Sequence, residues 1–248
     1  MSRYSKIGKV IAVMSGKGGV GKSSVTALLA CELARRGKKV GVLDADLTGP
    51  SIPTMFGVLG KRPETINPGI LPVRTEKLGI EVISVNLMLE KPEQPVIWRG
   101  PLLSKAIQEF WEEVAWDDPD VLLLDLPPGT GDIPLTVLQA IPLDGVIIVS
   151  SPQDLAFLVV KKAVNMVYQL KKPILGLVEN MSYLVCPHCG KAIHPFGREK
   201  GKEIAASLFI TFLGNLPIDP ELSRRCDEGT IEEYENESVS AIADKIAL

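Results

Sequence analysis

Short, nearly unbroken apolar runs alternate along the chain with longer stretches in which apolar residues recur every three to four positions. Val10–Ser15 (VIAVMS) is β-branched and bounded by glycines, which predicts a strand. Ser23–Arg36 is rich in Ala and Leu and predicts a helix, with Gly37 placed where helices often end in a left-handed residue. Lys39–Asp44 (KVGVLD) predicts the next strand, and further strands are expected at Ile80–Val85, Val121–Leu126, Gly145–Ser150, Ile174–Val178 and Phe209–Leu213. Helices are expected at Leu102–Trp116, Ile133–Ala140, Asp154–Leu170 and Glu199–Ser207. Strands apolar on both faces and separated by helices form a parallel sheet covered on both sides. The expected fold class is therefore α/β, with a mostly parallel sheet and helices on both faces.

Two regions interrupt the alternation. Thr48–Leu78 holds many Pro and Gly residues and no clear period, and long excursions of this kind usually serve function or motion. Tyr183–Arg198 contains CPHCG and reads as a small loop or hairpin inserted after a strand. Neither is long enough to be a domain, so residues 1–248 read as one domain with an insert at about 182–198. The composition, 46% hydrophobic and 23% charged, excludes intrinsic disorder. Lys+Arg 27 against Asp+Glu 30 gives a net charge of −3, which argues against a nucleic-acid partner. Met1–Lys9 lacks the apolar run of a signal peptide, and no stretch approaches the ~20 residues that cross a bilayer. The expectation is a cytoplasmic protein with no membrane partner.

Gly16–Ser23 (GKGGVGKS) matches G-x-x-x-x-G-K-[ST] between a predicted strand and a predicted helix. Gly16, Gly18, Gly19, Val20 and Gly21 form the loop, whose glycines let backbone N–H groups wrap phosphate oxygens. The helix that follows presents its amino end to the anion. Lys22 supplies charge near the β- and γ-phosphates, Ser23 is placed to ligate Mg²⁺, and Ser24 can donate to the α-phosphate. Asp44 and Asp46 end the second strand, where ligands collect in parallel sheets, and two carboxylates there suit Mg²⁺ and water positioning. Asp125 ends VLLLD, the Walker B pattern, and is expected to hold Mg²⁺, through water. Leu126–Asp132 (LPPGTGD) forms a loop able to respond to a γ-phosphate, with Asp132 suited to a helix N-cap.

Cys186 and Cys189 in C-x-x-C bring two thiolates to one point, whereas zinc or a [4Fe–4S] cluster wants four ligands. Three completions stay open: two chains each giving Cys186 and Cys189, His194 joining a zinc site within one chain, or a simple dithiol. Zn²⁺ readily occupies such thiolates when iron is scarce. Cys31 lies on an Ala/Leu helix face and reads as core. Cys226, beside Arg224 and Arg225, is a candidate for a lowered thiol pKa. His188 is expected to face solvent, Trp98, Trp111 and Trp116 to pack, and Arg99 to suit a subunit contact.

The loop KGGVGKSS, with Lys17 directly after the first glycine, closely resembles the deviant Walker A ATPases of the MinD/ParA/nitrogenase-iron-protein superfamily, P-loop NTPases. That resemblance implies a homodimer closing on ATP, with Lys17 reaching the partner's nucleotide. It also implies that DADLTGPS is switch I, with Asp46 orienting the attacking water and Asp44 in the metal shell. Asn180 in GLVENMS would hydrogen-bond the adenine edge, since its amide both donates and accepts. The whole chain resembles the Mrp/ApbC-type iron–sulfur cluster carriers through GKGGVGKSS, DADLTGPS, WRGP, DLPPGTGD, VENMS, CPHCG with HPFG after it, and a late CDEG, in family order. The resemblance implies slow Mg-dependent ATP hydrolysis and a labile [4Fe–4S] cluster bridging two subunits through Cys186 and Cys189, passed on to apo-proteins. The competing reading is a MinD/ParA-like positioning ATPase with structural zinc at the dimer contact. MinD-like action wants a basic amphipathic C-terminal helix, whereas ESVSAIADKIAL carries one lysine and two acids, Glu237 and Asp244. Electron transfer in the manner of nitrogenase iron protein is a third reading, although cysteines in that protein are far apart in sequence.

Overall fold

The computed structural model describes residues 3–46, 51–67, 69–89, 100–153 and 156–246, without the side chains of 100–104 and 156. The first half runs β1 (Lys9–Ser15), α1 (Lys22–Arg35), β2 (Val40–Asp44), α2 (Ser51–Met55), β3 (Glu64–Ile66), β4 (Gly69–Leu71), β5 (Val73–Arg74), β6 (Glu81–Ser84) and α3 (Gly100–Glu113). The second half runs β7 (Val121–Asp125), α4 (Asp132–Ala140), β8 (Gly145–Ser150), α5 (Ala156–Gln169), β9 (Ile174–Glu179), β10 (Leu184–Val185) and β11 (Ala192–Ile193). It closes with α6 (Gly201–Ser207), β12 (Phe212–Asn215), α7 (Pro220–Asp227) and α8 (Glu237–Lys245).

Eight strands make one sheet in the order β12-β9-β8-β1-β7-β2-β6-β5. Every pairing is parallel except β5 against β6 at one edge. Side chains alternate across it: Ile11 and Val13 join one core, and Val10, Ala12 and Met14 the other. The first core takes Leu28 of α1, Ile52 of α2 and Ile242 of α8. The second takes Ile107 of α3, Val137 of α4, Val164 of α5 and Ile204 of α6. Burying each large aliphatic chain this way contributes about 1.5–3 kcal/mol. The α/β expectation, helices on both faces, is met.

Helix α1 starts where Gly21 leaves the loop and ends where Gly37, at φ 80°, turns left-handed. The Gly37 N–H then donates to the Ala34 carbonyl at 2.9 Å, which satisfies a carbonyl the helix cannot. The expected strand at Phe209–Leu213 is displaced: β12 is Phe212–Asn215, and Phe209 is a left-handed residue (φ 56°), 93% exposed. The aperiodic excursion from Thr48 contains α2, the β3–β4 hairpin and the edge strand β5. Gly131, not Asp132, caps α4, and Asp132 is its first residue. Thr48, Trp98, Arg99 and Asp154 lie outside the described residues.

Candidate functional site

Between β1 and α1 the chain turns through Gly16–Gly21. Gly19 (φ 77°) and Gly21 (φ 74°) sit in the left-handed region, which costs other residues about 1–2 kcal/mol. Space is also short, since a Cβ on Gly21 would lie 2.2 Å from Asn180 Nδ2, and one on Gly16 would lie 2.3 Å from Val159 Cγ1. Backbone N–H groups and the amino end of α1 thus converge, an arrangement suited to anions. The Gly129 N–H donates to the Ser15 carbonyl at 2.8 Å, tying the loop after β7 to this turn. A cleft of about 230 Å³ lies here, lined by Gly18 to Ser24 together with Ser15, Asp46, Ser51, Met55 and Pro128. A larger groove of about 760 Å³ lies elsewhere, between β5 and Trp116, and shares none of these residues.

Strand register sets Asp44 of β2 beside Asp125 of β7, and their exposures are only 1% and 0%. Buried Lys22 lies 2.7 Å from Asp125 Oδ2 and 3.6 Å from Asp46 Oδ2. Ser23 Oγ donates to Asp125 Oδ2 at 2.6 Å, and Thr26 Oγ1 donates to Asp125 Oδ1 at 2.8 Å. Asp44 accepts from Ser84 Oγ at 3.0 Å and from the Asp46 N–H at 3.0 Å. Burial, with the Asp125 carboxylate adding to it, pushes Asp44 well above the usual carboxylate range, against the pull of Lys22. Three carboxyl groups thus gather around one ammonium, and a divalent cation here would favour their charged forms. The hard oxygens of Ser23, Asp44 and Asp125 fit Mg²⁺ by donor type.

Lys17 is half-buried, and its Nζ donates to Gln153 Oε1. Asn180 is buried beside the loop, with Nδ2 donating to the Val20 carbonyl at 2.9 Å. Ser24 contacts the Cys226 thiol from α1. The expectation of a lowered pKa at Cys226 is overturned: burial, with Asp227 adding to it, pushes the thiol up to about 11. Arg224 and Arg225 are engaged elsewhere, each paired with Glu221. Cys31 is fully buried core, its thiol pushed up to about 12 by burial. Trp111 and Trp116 are buried packing residues as expected.

Strands β10 and β11 form a separate hairpin, with Leu184 opposite Ile193 and Val185 opposite Ala192. At its tip the Gly190 N–H donates to the Cys186 carbonyl and the Cys186 N–H to the Lys191 carbonyl, both at 2.9 Å. Gly190 makes the turn at φ 69°. The N–H groups of Cys189 and His188 bond the Cys186 sulfur, and with the Cys189 side chain they hold its pKa below the usual thiol value. Cys189 and His188 are exposed. Among the described residues no group of three or more His, Cys, Asp or Glu side chains is set to hold a metal. His194 turns elsewhere, its Nδ1 3.2 Å from the Ser182 carbonyl. The one-chain zinc option with His194 is therefore not assembled.

This sheet order and glycine loop define a P-loop NTPase. Residues 6–248 match the family model described as ParA, NUBPL iron-transfer P-loop NTPase, and the chain belongs to that family. It is 45% identical over 240 residues to an iron-sulfur cluster carrier protein of Clostridium perfringens, covering 94% of this chain and 84% of that one. A protein of the same description from Methanocaldococcus jannaschii is 49% identical over 226 residues, covering 91% and 78%. Among solved structures, a nucleotide-binding protein in complex with ADP from Archaeoglobus fulgidus has TM-score 0.84 and 48% identity, covering 94% of this chain and 90% of that one. MinD of Aquifex aeolicus, at 21% identity and TM-score 0.66 over 96% and 95%, shares the fold.

Thr26 and Ser84, the donors to Asp125 and Asp44, belong to none of the motifs read from the sequence. Thr26 was within reach, since it stands four residues after Lys22 and so on the same helix face. Ser84 gave only the weak signal of a polar residue ending an apolar strand.

Proposed function

We propose that the chain is an ATP-hydrolysing carrier of iron–sulfur clusters, acting in the reducing cytoplasm as a homodimer that assembles a [4Fe–4S] cluster and passes it to apo-proteins. The observation that carries this reading is the hairpin: one chain offers two thiols on an exposed tip and no third ligand in reach among the described residues. Four-thiolate cargo then requires Cys186 and Cys189 from two copies. The names borne by relatives at 45% and 49% identity support it.

In this proposal Gly16, Gly18, Gly19, Val20, Gly21 and Ser24 cradle the phosphates of ATP, and Asn180 faces the adenine. Lys22 leaves its carboxylate partners for the β- and γ-phosphates. Ser23, Asp44 and Asp125 would hold Mg²⁺, which supplies neutralising charge on the phosphate oxygens when bound. Asp46 orients the attacking water, and Lys17 reaches the partner's nucleotide. The dimer preference of nucleotide must differ between closed and open arrangements, or ATP shifts nothing.

The competing positioning-ATPase reading gains no support from α8. Helix α8 buries Val239, Ile242 and Ala243 against the core, so this segment is not a free amphipathic anchor. Among the described residues no helix is long and apolar enough to cross a membrane. Anaerobic reconstitution tests the proposal. About four irons and four sulfides per two chains are expected, lost when Cys186→Ala, Cys189→Ala subunits replace wild type. A monomer that binds the full cluster alone overturns it.

A further inference from the structure

The end of β9 lies between the phosphate loop and the neck of the cysteine insert. Asn180 holds the Val20 carbonyl of the phosphate loop at 2.9 Å. Its neighbour Glu179 is 1% exposed, and both carboxylate oxygens are engaged at the neck of the cysteine insert. Oε2 accepts from Ser182 Oγ at 3.0 Å, where the chain leaves for the hairpin. Oε1 accepts from the Lys200 N–H at 3.0 Å, where the chain returns. Ser182 continues the path outward, because its carbonyl lies 3.2 Å from His194 Nδ1 in the hairpin's return arm. Gly201 is packed so closely that a Cβ there would sit 2.8 Å from Glu179 Cβ.

Between neck and loop stands Met181, held left-handed at φ 58°. A long side chain takes that conformation only where its surroundings impose it, and such positions cluster at switching segments. The Met181 methyl would lie 3.4 Å from a Cβ built on Gly21. Asn180 and Met181, which adjoin the phosphate loop, thus stand one and two residues from the carboxylate that pins both arms of the hairpin.

We propose that Glu179 is a positioning residue that couples the phosphate loop to the Cys186/Cys189 hairpin, so that nucleotide sets how the two thiols are presented. The inference rests on the carrier reading for its purpose, but not for its test. The full-length protein is treated with iodoacetamide without metal, and alkylation of Cys186 and Cys189 is followed by mass spectrometry with and without Mg-ATPγS. Nucleotide is expected to change the wild-type rate about fivefold or more, the usual scale of coupling between sites.

Glu179→Gln keeps the shape but loses one acceptor. It is expected to bind Mg-ATPγS within about twofold of wild type while its alkylation rate no longer responds to nucleotide. A merely structural role would alter the rate without abolishing its nucleotide dependence. Ser182→Ala, which removes the hydroxyl of one arm with its contacts to the Glu179 carboxylate and carbonyl, should weaken the response, and it decides the matter if Glu179→Gln does not fold. A full wild-type response in the variant that folds, or no response in wild type, overturns the coupling. Cluster loading is measured separately by reconstitution. A wild type that responds but loads no cluster sinks the carrier reading alone, and one that loads cluster while Glu179→Gln still responds sinks the coupling alone.

Discussion

Thr26 gives a sharp test of the buried charge cluster. Its hydroxyl is the donor to Asp125 Oδ1, at 2.8 Å, and the residue is fully buried. Thr26→Val keeps the shape and removes that donor. A hydrogen bond to a charged acceptor is worth about 1.5–3 kcal/mol. The new methyl returns roughly 0.8 kcal/mol of apolar transfer. The net expectation is a loss of about 1–2 kcal/mol, or roughly 2–8 °C in Tm for a chain of this size. Urea unfolding of the nucleotide-free protein by circular dichroism reads it directly. Thr26→Ser, which restores the hydroxyl, should recover part of the loss. A valine variant as stable as wild type would mean that Asp125 does not depend on this donor, and the account of the cluster would fail.

Two further outcomes follow from the same geometry. Asp44 has a folded-state pKa raised by burial and by Asp125, so the folded protein binds its proton more tightly than the unfolded chain does. Its contribution to stability therefore falls as pH rises from the unfolded value of about 3.9 through the folded one. Asp44→Asn should raise the urea midpoint at neutral pH, flatten its pH dependence across that window and impair hydrolysis. A neutral-pH midpoint below wild type counts against the assignment. Separately, an Ellman titration at about pH 8 should show two fast thiols, Cys186 and Cys189, because thiols pushed to about 11 at Cys226 and about 12 at Cys31 hold almost no thiolate. A third fast thiol would mean that Cys226 is not sheltered.

Much of this was legible in the chain. The central strands β1, β2, β7 and β8 are buried throughout apart from Lys9 at the first position of β1, so their apolar runs are nearly continuous. The glycine loop announced itself because few residues other than glycine can occupy Gly19 and Gly21. Elements that bury little were invisible to a hydrophobic reading. Helix α7 has no fully buried residue: only Leu222 and Cys226 pack partly against the core, and the rest of its surface carries charge pairs such as Arg224 with Glu221, under an Asp219 cap. Strand β12 was misplaced because Leu208, Phe209 and Ile210 extend its apolar run across a turn, and nothing in composition marks Phe209 as left-handed. The Asp44–Asp125 pairing was only half legible: strand ends were clear, but which strands lie side by side is a matter of topology. Cys226 misled because two adjacent arginines in sequence say nothing of where their guanidinium groups point.

The narrow neck of the hairpin has a consequence for how this family can vary. Ser182 and Lys200 close on a single carboxylate, so the seventeen residues between them begin and end at one spot on the sheet. Lengthening, shortening or exchanging such a segment adds little closure entropy, since that term grows only logarithmically with length. The cysteine-bearing tip can therefore be re-tailored while the sheet and glycine loop beneath it are inherited unchanged.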